Sequence, residues 1–337
     1  MWNLRFIMFA GFDMNVPTSS LLGLTVLTLF GFILSNCTIM TKTSAVPTLG
    51  KSTWTSFDGK EMPWLSSEVP PGKTLRAVVI TVHGLSGAAS DFWPIAESWP
   101  KQGIAVYGVE LRGMGNDPDK SARGNITSGD VWRKDLSTFH QLVRAAHPHV
   151  PVFWYAESLG SLIAVHALAE MTDAGVPAGL ILSSPAAGLK MEPNIGKELF
   201  VWAAIKLAPG VRVNLEKLAG VKDKDIRMTT GSTHEAQMAK TPHFVAKLTL
   251  RLLGEVDEMI RALRAAAKKT CVPVLVLATP NDVIASQQQV RNFFDALATK
   301  DKTLLWYPRS YHLLLHDVQR EQVVGDATRW IESKLRK

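Results

Sequence analysis

Three side chains far apart in the chain, Ser158, Asp282 and His312, could together move an acyl group. A serine hydroxyl is a poor nucleophile until a base takes its proton, and an imidazole titrating near neutrality suits that task. A buried carboxylate can hold the imidazole in the required tautomer and stabilise its charged form without being protonated itself. Ser158 stands in Val152-Phe153-Trp154-Tyr155-Ala156-Glu157-Ser158-Leu159-Gly160, where an apolar run meets a small-x-Ser-x-Gly turn and passes straight into a helix-forming segment. On so sharp a strand-to-helix turn the hydroxyl projects away from the backbone, and strand and helix approach closely only if the flanking residues are small. Ala156 and Gly160 are those small residues, although most such turns carry glycine where Ala156 stands. The N–H of Leu159, at the start of the helix, would face a developing oxyanion.

A second donor is expected from the strand Arg76 to Val82, which is apolar along its length and ends in His83-Gly84-Leu85. A glycine-containing turn at the carboxyl end of a parallel strand can aim a backbone N–H into the ligand crevice. The N–H of Leu85, freed by Gly84, is that candidate. Asp282 follows the apolar strand Val272 to Ala278, and His312 follows the strand Lys302 to Tyr307. Each residue alone also fits a plainer role: a surface serine, a turn-forming aspartate, a packed histidine. The argument rests on three strand ends meeting the order Ser, Asp, His. Glu157, His316, Asp317 and His147-Pro148-His149 are expected at the surface or at helix ends, and no spacing supports a metal site.

The elements that must position these groups alternate along the chain. Asp58-Gly59 reads as a hairpin turn between Ser52–Phe57 and Met62–Leu65. Helices are expected over Asp91–Lys101, Ser128–His147, Phe244–Lys268 and Glu321–Leu335, with further strands at Ile104–Val109 and Ala178–Pro185 and a tight turn at Arg112–Gly115. Strands alternating with helices imply parallel βαβ units in a layered α/β fold. The rhythm breaks over residues 187–241, where Lys197 to Leu207 has helical character and Lys222, Lys224 and Arg227 fall in loops. That segment reads as a helical cap inserted over the carboxyl ends of the strands. Residues 52–186 and 242–337 then form two parts of one core, with 37–51 as a linker.

Composition bounds the partners. The chain has 337 residues, 46% hydrophobic and 20% charged, as a globular protein has. Its net charge of +7 is scattered rather than gathered in a stripe, which argues against nucleic acid and leaves an anionic membrane surface open. Arg5 precedes an apolar run from Leu21 to Leu34, about the length of a signal-peptide core. Leu34-Ser35-Asn36-Cys37 resembles the end of a bacterial lipoprotein signal. Residues 1–36 are therefore expected to be a signal peptide or membrane anchor, with the protein exported and attached to a bacterial envelope, through lipid on Cys37 or otherwise. Plain secretion or a periplasmic location is the alternative. The other cysteine, Cys271, precedes an apolar run and is expected to be a buried packing residue.

The stretches Val82-His83-Gly84, Glu110-Leu111-Arg112-Gly113-Met114-Gly115, Ala156-Glu157-Ser158-Leu159-Gly160, Leu182-Ser183-Ser184-Pro185-Ala186, Asn281-Asp282-Val283 and Tyr311-His312 resemble the monoacylglycerol lipase and lysophospholipase branch of the α/β-hydrolases, among the serine aminopeptidase S33-type hydrolases. The resemblance runs from about Ser52 onward. It implies an α/β-hydrolase fold with an inserted mobile helical cap, hydrolysis of carboxylic esters, often of single-chain lipids, and no metal or organic cofactor. A short-chain carboxylesterase, a thioesterase, an acyltransferase and an aminopeptidase-like enzyme share the fold, as would a catalytically silent protein that binds a lipid or partner.

Overall fold

The computed structural model describes residues 46–172, 175–190, 202–214, 226–233, 236 and 240–336. The expected leader, with Cys37, lies outside them. Nine strands form one sheet: β1 (Thr48–Leu49), β2 (Thr53–Thr55), β3 (Glu61–Ser67), β4 (Ala77–Val82), β5 (Ile104–Val109), β6 (Val152–Glu157), β7 (Gly179–Ser183), β12 (Val274–Ala278) and β13 (Lys302–Trp306), in the order β1-β2-β3-β5-β4-β6-β7-β12-β13. Pairing is antiparallel from β1 through β5 and parallel from β5 to β13. The Asp58-Gly59 hairpin forms as expected, with Gly59 at φ +83°. Thr48 and Leu49, placed in the linker on sequence grounds, pair with β2 and belong to the sheet.

Both faces of the sheet are covered, which is why its central strands read as continuous apolar runs. Val78, Ile80, Val82, Trp154 and Ala156 face a layer made of α2 (Gly129–Ala146), α3 (Leu159–Glu170), α4 (Leu250–Ala267) and α5 (Gln287–Ala296). Ala77, Val79, Phe153 and Tyr155 face the other way, onto α1 (Trp93–Ser98) and α6 (Arg320–Leu335). The helix after Ser158, α3, is buried from Leu159 through Leu168 and packs between α2 and α4. A helix that is apolar all round needs such a place. Within the same layer, His140 of α2 donates to the Gly175 carbonyl and accepts from the indole of Trp154 on the central strand β6. Burial pushes its pKa down to about 4, so it is a neutral packing residue.

Three expectations change on contact with the structure. The helix expected from Phe244 begins at Leu250, because Leu248–Thr249 (β11) pairs with Arg212–Val213 (β8) and the Thr249 hydroxyl caps the helix by accepting from the Leu252 amide. Helix α5 was not anticipated, yet it starts in a capping box between Ser286 and Gln289, a signal the sequence carries. Cys271 is exposed, since the buried strand starts after it and the cysteine sits in the turn that follows α4.

Of residues 187–241, positions 202–207 are helical, as expected, while 197–201, Lys222 and Lys224 lie outside the described residues. The segment is not wholly helical: it also contributes β8 and a hairpin of β9 (Arg227–Thr229) and β10 (Ser232–Thr233). Among the described residues no helix is long and apolar enough to cross a membrane.

Candidate active site

The site lies where β4, β6, β12 and β13 end. Val82 pairs with Ala156, so the turns leaving β4 and β6 start side by side. Ser158 follows β6 at φ +52° and ψ −115°, a backbone conformation L-residues rarely adopt. Such strain costs of order 1–3 kcal/mol and persists only where the surroundings enforce it. Here they do. A methyl group on Gly160 would collide with the Val82 carbonyl oxygen and lie 2.8 Å from that of His83, so helix α3 reaches the end of β4 only because position 160 is bare. Gly84 packs beside the serine with more room: its added Cβ would lie 3.2 Å from Ser158 Cβ and 3.8 Å from Ser158 Oγ. Ala156 is fully buried, and its methyl fits where most such turns carry glycine.

The loop after β4 is held from below. His83 is buried, donating from Nδ1 to the Gly84 carbonyl at 2.9 Å and accepting at Nε2 from the Leu111 amide at 3.0 Å. Glu110 accepts from the Ala89 amide and Asp91 from the Ala88 amide. The N–H of Leu85 donates to no backbone carbonyl among the described residues, and Leu159 opens helix α3, where the first amides have no acceptor within the helix.

Asp282 and His312 meet directly. His312 Nδ1 lies 3.0 Å from both carboxylate oxygens of Asp282, and the two residues are 3% and 2% exposed. Burial works against the charge on Asp282, but the imidazole and the amides of Ile284 and Ala285 outweigh it and hold the carboxyl below its ordinary value. Burial likewise opposes the imidazolium, and the Asp282 carboxylate, with Glu157 adding to it, raises His312 above the ordinary histidine value. With Nδ1–H engaged, Nε2 is the nitrogen left to face a nucleophile.

Ser158 and His312 share no hydrogen bond among the described residues. They are linked through two consecutive serines: the Ser183 carbonyl accepts from the Ser158 amide at 3.0 Å, and the Ser184 hydroxyl donates to the His312 carbonyl at 2.6 Å. Ser184 takes φ +42° to do so. Catalytic hydrogen bonds are often long before substrate binds.

Two residues expected at the surface or at helix ends are part of this neighbourhood, Asp317 at the end of the short helix Leu314–His316. Glu157 is buried, and its carboxyl is pushed up to about 7 by burial. His312, Asp91, His83 and Asp282 are the charges it feels. Asp317 is half-buried and bound to backbone amides on both sides of the histidine loop. No group of three His, Cys, Asp or Glu among the described residues could hold a metal ion.

Comparison with known proteins places the chain in a family and a fold. The sequence profile of the family described as serine aminopeptidase, S33, matches residues 73–319. A monoacylglycerol lipase of Mycolicibacterium smegmatis is 26% identical over 268 residues, covering 79% of this chain and 91% of its own length. Phospholipase YtpA of Bacillus subtilis is 24% identical, covering 73% of this chain and 92% of its own length. The crystal structure of a thermostable carboxyl esterase from Bacillus coagulans superposes with a TM-score of 0.72 at 20% identity, covering 86% of this chain and 99% of that one, and shares the fold.

Proposed function

We propose, from the premise that this chain belongs to the serine aminopeptidase S33 family, that Ser158, His312 and Asp282 are a catalytic triad that cleaves single-chain lipid esters. The chain is an ester hydrolase of the α/β-hydrolase fold. The observation that carries the finer reading is the buried Asp282–His312 pair beyond β12 and β13, on the same rim as the strained serine after β6. In the reaction, His312 Nε2 takes the Ser158 hydroxyl proton as Oγ attacks the ester carbonyl. The amides of Leu85 and Leu159 stabilise the oxyanion, and loss of one such donor typically costs about 100-fold or more. The imidazolium, stabilised by Asp282, gives its proton to the leaving alcohol. Water activated by the same imidazole then releases the fatty acid and restores Ser158.

Monoacylglycerol or a lysophospholipid is the substrate we favour, because the curated relatives named above are a monoacylglycerol lipase and a phospholipase. Residues 187–241 would be the cap over the acyl site, and the leader with Cys37 would export the enzyme and attach it to a bacterial membrane. Purified protein assayed on short-chain esters, long-chain monoacylglycerol and lysophospholipid, with Ser158→Ala alongside, tests this. Expected are a preference for the long-chain monoacyl lipids and, in the variant, loss of fluorophosphonate labelling with turnover down by about 1,000-fold or more. Labelling that survives the substitution removes Ser158 from its role; a preference for short esters makes the protein a general carboxylesterase.

A further inference from the structure

The segment 187–241 is stitched to both loops of the acid–histidine pair. At its beginning, the Lys190 amide donates to the Ile284 carbonyl at 2.8 Å, Lys190 Nζ donates to the Asp282 carbonyl at 2.5 Å, and Gln289 donates to the Leu189 carbonyl. The β9–β10 hairpin holds the other loop more closely. The Leu313 amide donates to the Met228 carbonyl at 3.0 Å, and the Thr230 hydroxyl donates to the Arg309 carbonyl at 3.0 Å. Asp317 completes the connection: one carboxylate oxygen accepts from the Thr230 amide at 2.9 Å and from the Val318 amide at 2.8 Å, the other from the Tyr311 amide at 2.7 Å.

The two residues flanking His312 are thus tied to one stretch of three residues, 228–230: Leu313 directly, Tyr311 through the Asp317 carboxylate. Hydrogen bonds to a carboxylate are stronger than neutral ones, and a loop amide deprived of its acceptor must find another or go without. We infer that Asp317 is a positioning residue that locks the residue before His312 to the β9–β10 hairpin, so that the seating of the hairpin sets where the His312 ring stands. This inference rests on the reading of His312 as the general base. It makes the hairpin part of what orders the base, in addition to any contact it makes with substrate.

The test is Asp317→Asn, which keeps one acceptor and turns an amide nitrogen toward an amide donor, compared with wild type in kcat, KM, the pH dependence of kcat and hydrogen exchange of the Tyr311, Leu313 and Thr230 amides. Expected are a fall in kcat of about tenfold, KM for a short soluble ester changed less than threefold, faster exchange at all three amides, and an acid limb of the pH profile moved to lower pH. The limb moves because a ring loosened from Asp282 loses the interaction that raises its pKa, while Glu157, the other charge facing it, stays in place. A role in folding alone would lower the melting temperature and the active fraction and leave the acid limb fixed; that result overturns the proposal. Should Asp317→Asn not fold, Thr230→Ala, which removes the tie to Arg309, must move the same limb in the same direction by a smaller amount, and no movement overturns the proposal equally. If wild type takes no fluorophosphonate label, the reading of the triad fails while the exchange of the three amides still decides the connection.

Discussion

The two halves of the site are built by different means. Around Ser158, position is set by exclusion: Gly160 against the carbonyls of Val82 and His83, Gly84 against the serine itself, and a fully buried helix α3 behind them. Around Asp282 and His312, position is set by hydrogen bonds across loops, to Lys190, Ser184, Asp317 and the backbone of the β9–β10 hairpin. A serine fixed by packing cannot shift without disturbing the core, whereas an aspartate and a histidine held by hydrogen bonds can be perturbed one bond at a time. Stability and activity should therefore separate between the halves.

The largest effect expected of a single change tests the first half. Gly160→Ala drives a methyl against the Val82 carbonyl oxygen, and because the neighbour is backbone, strand and helix must part. Overpacking a tight core costs about 1–3 kcal/mol and occasionally more, and here the obstruction is rigid. A drop in melting temperature with loss of activity in proportion is the expected result; a variant of wild-type stability would break the contrast. Asp282→Asn tests the second half. It can still accept from the Ile284 amide, so melting should shift by only a few degrees, but the imidazole loses its tautomer partner and kcat should fall by about 10,000-fold. The smallest effect should come from Glu157→Gln. Its carboxylate helps raise His312, so removing that charge moves the acid limb of kcat to lower pH and deletes an ionisation near 7. An unmoved limb in a pH–rate profile would mean that the buried carboxyl is electrostatically silent.

The sequence made the first half legible and the second half only in outline. Small residues flanking a serine between an apolar run and a helix fit a sharp strand-to-helix turn, so Ala156, Ser158 and Gly160 could be read as a set; Gly84 could be read only as the turn residue before Leu85. Asp282 and His312 could be picked out because each follows a strand in the expected order. Their supports could not. Glu157 reads as a surface charge until β6 is known to be enclosed on both sides, and Asp317 binds the amide of a hairpin 87 residues earlier in the chain. The alternation of strands and helices implies the sheet, but α4 starts six residues after Phe244: Phe244, Val245 and Leu248 continue its apolar period, and only the β8–β11 pairing shows that the chain is extended at Leu248 and Thr249.

Strands β7 and β12 are parallel hydrogen-bonded neighbours, with Leu180 opposite Val274 and Ser183 opposite Leu277, so the chain that leaves β7 at Ser183 must cross back to the other end of the sheet before Val274; helix α4 makes that return, and residues 187–241 are a long loop inserted ahead of it. The entropic cost of such a loop grows only with the logarithm of its length, and doubling it costs about 0.6 kcal/mol. Insertions, deletions or exchange within residues 187–241, which leave α4 and its buried face in place, are thus nearly free to the sheet. Over evolutionary time, this is the part of the chain that can be rewritten while β6 and its serine stay as they are.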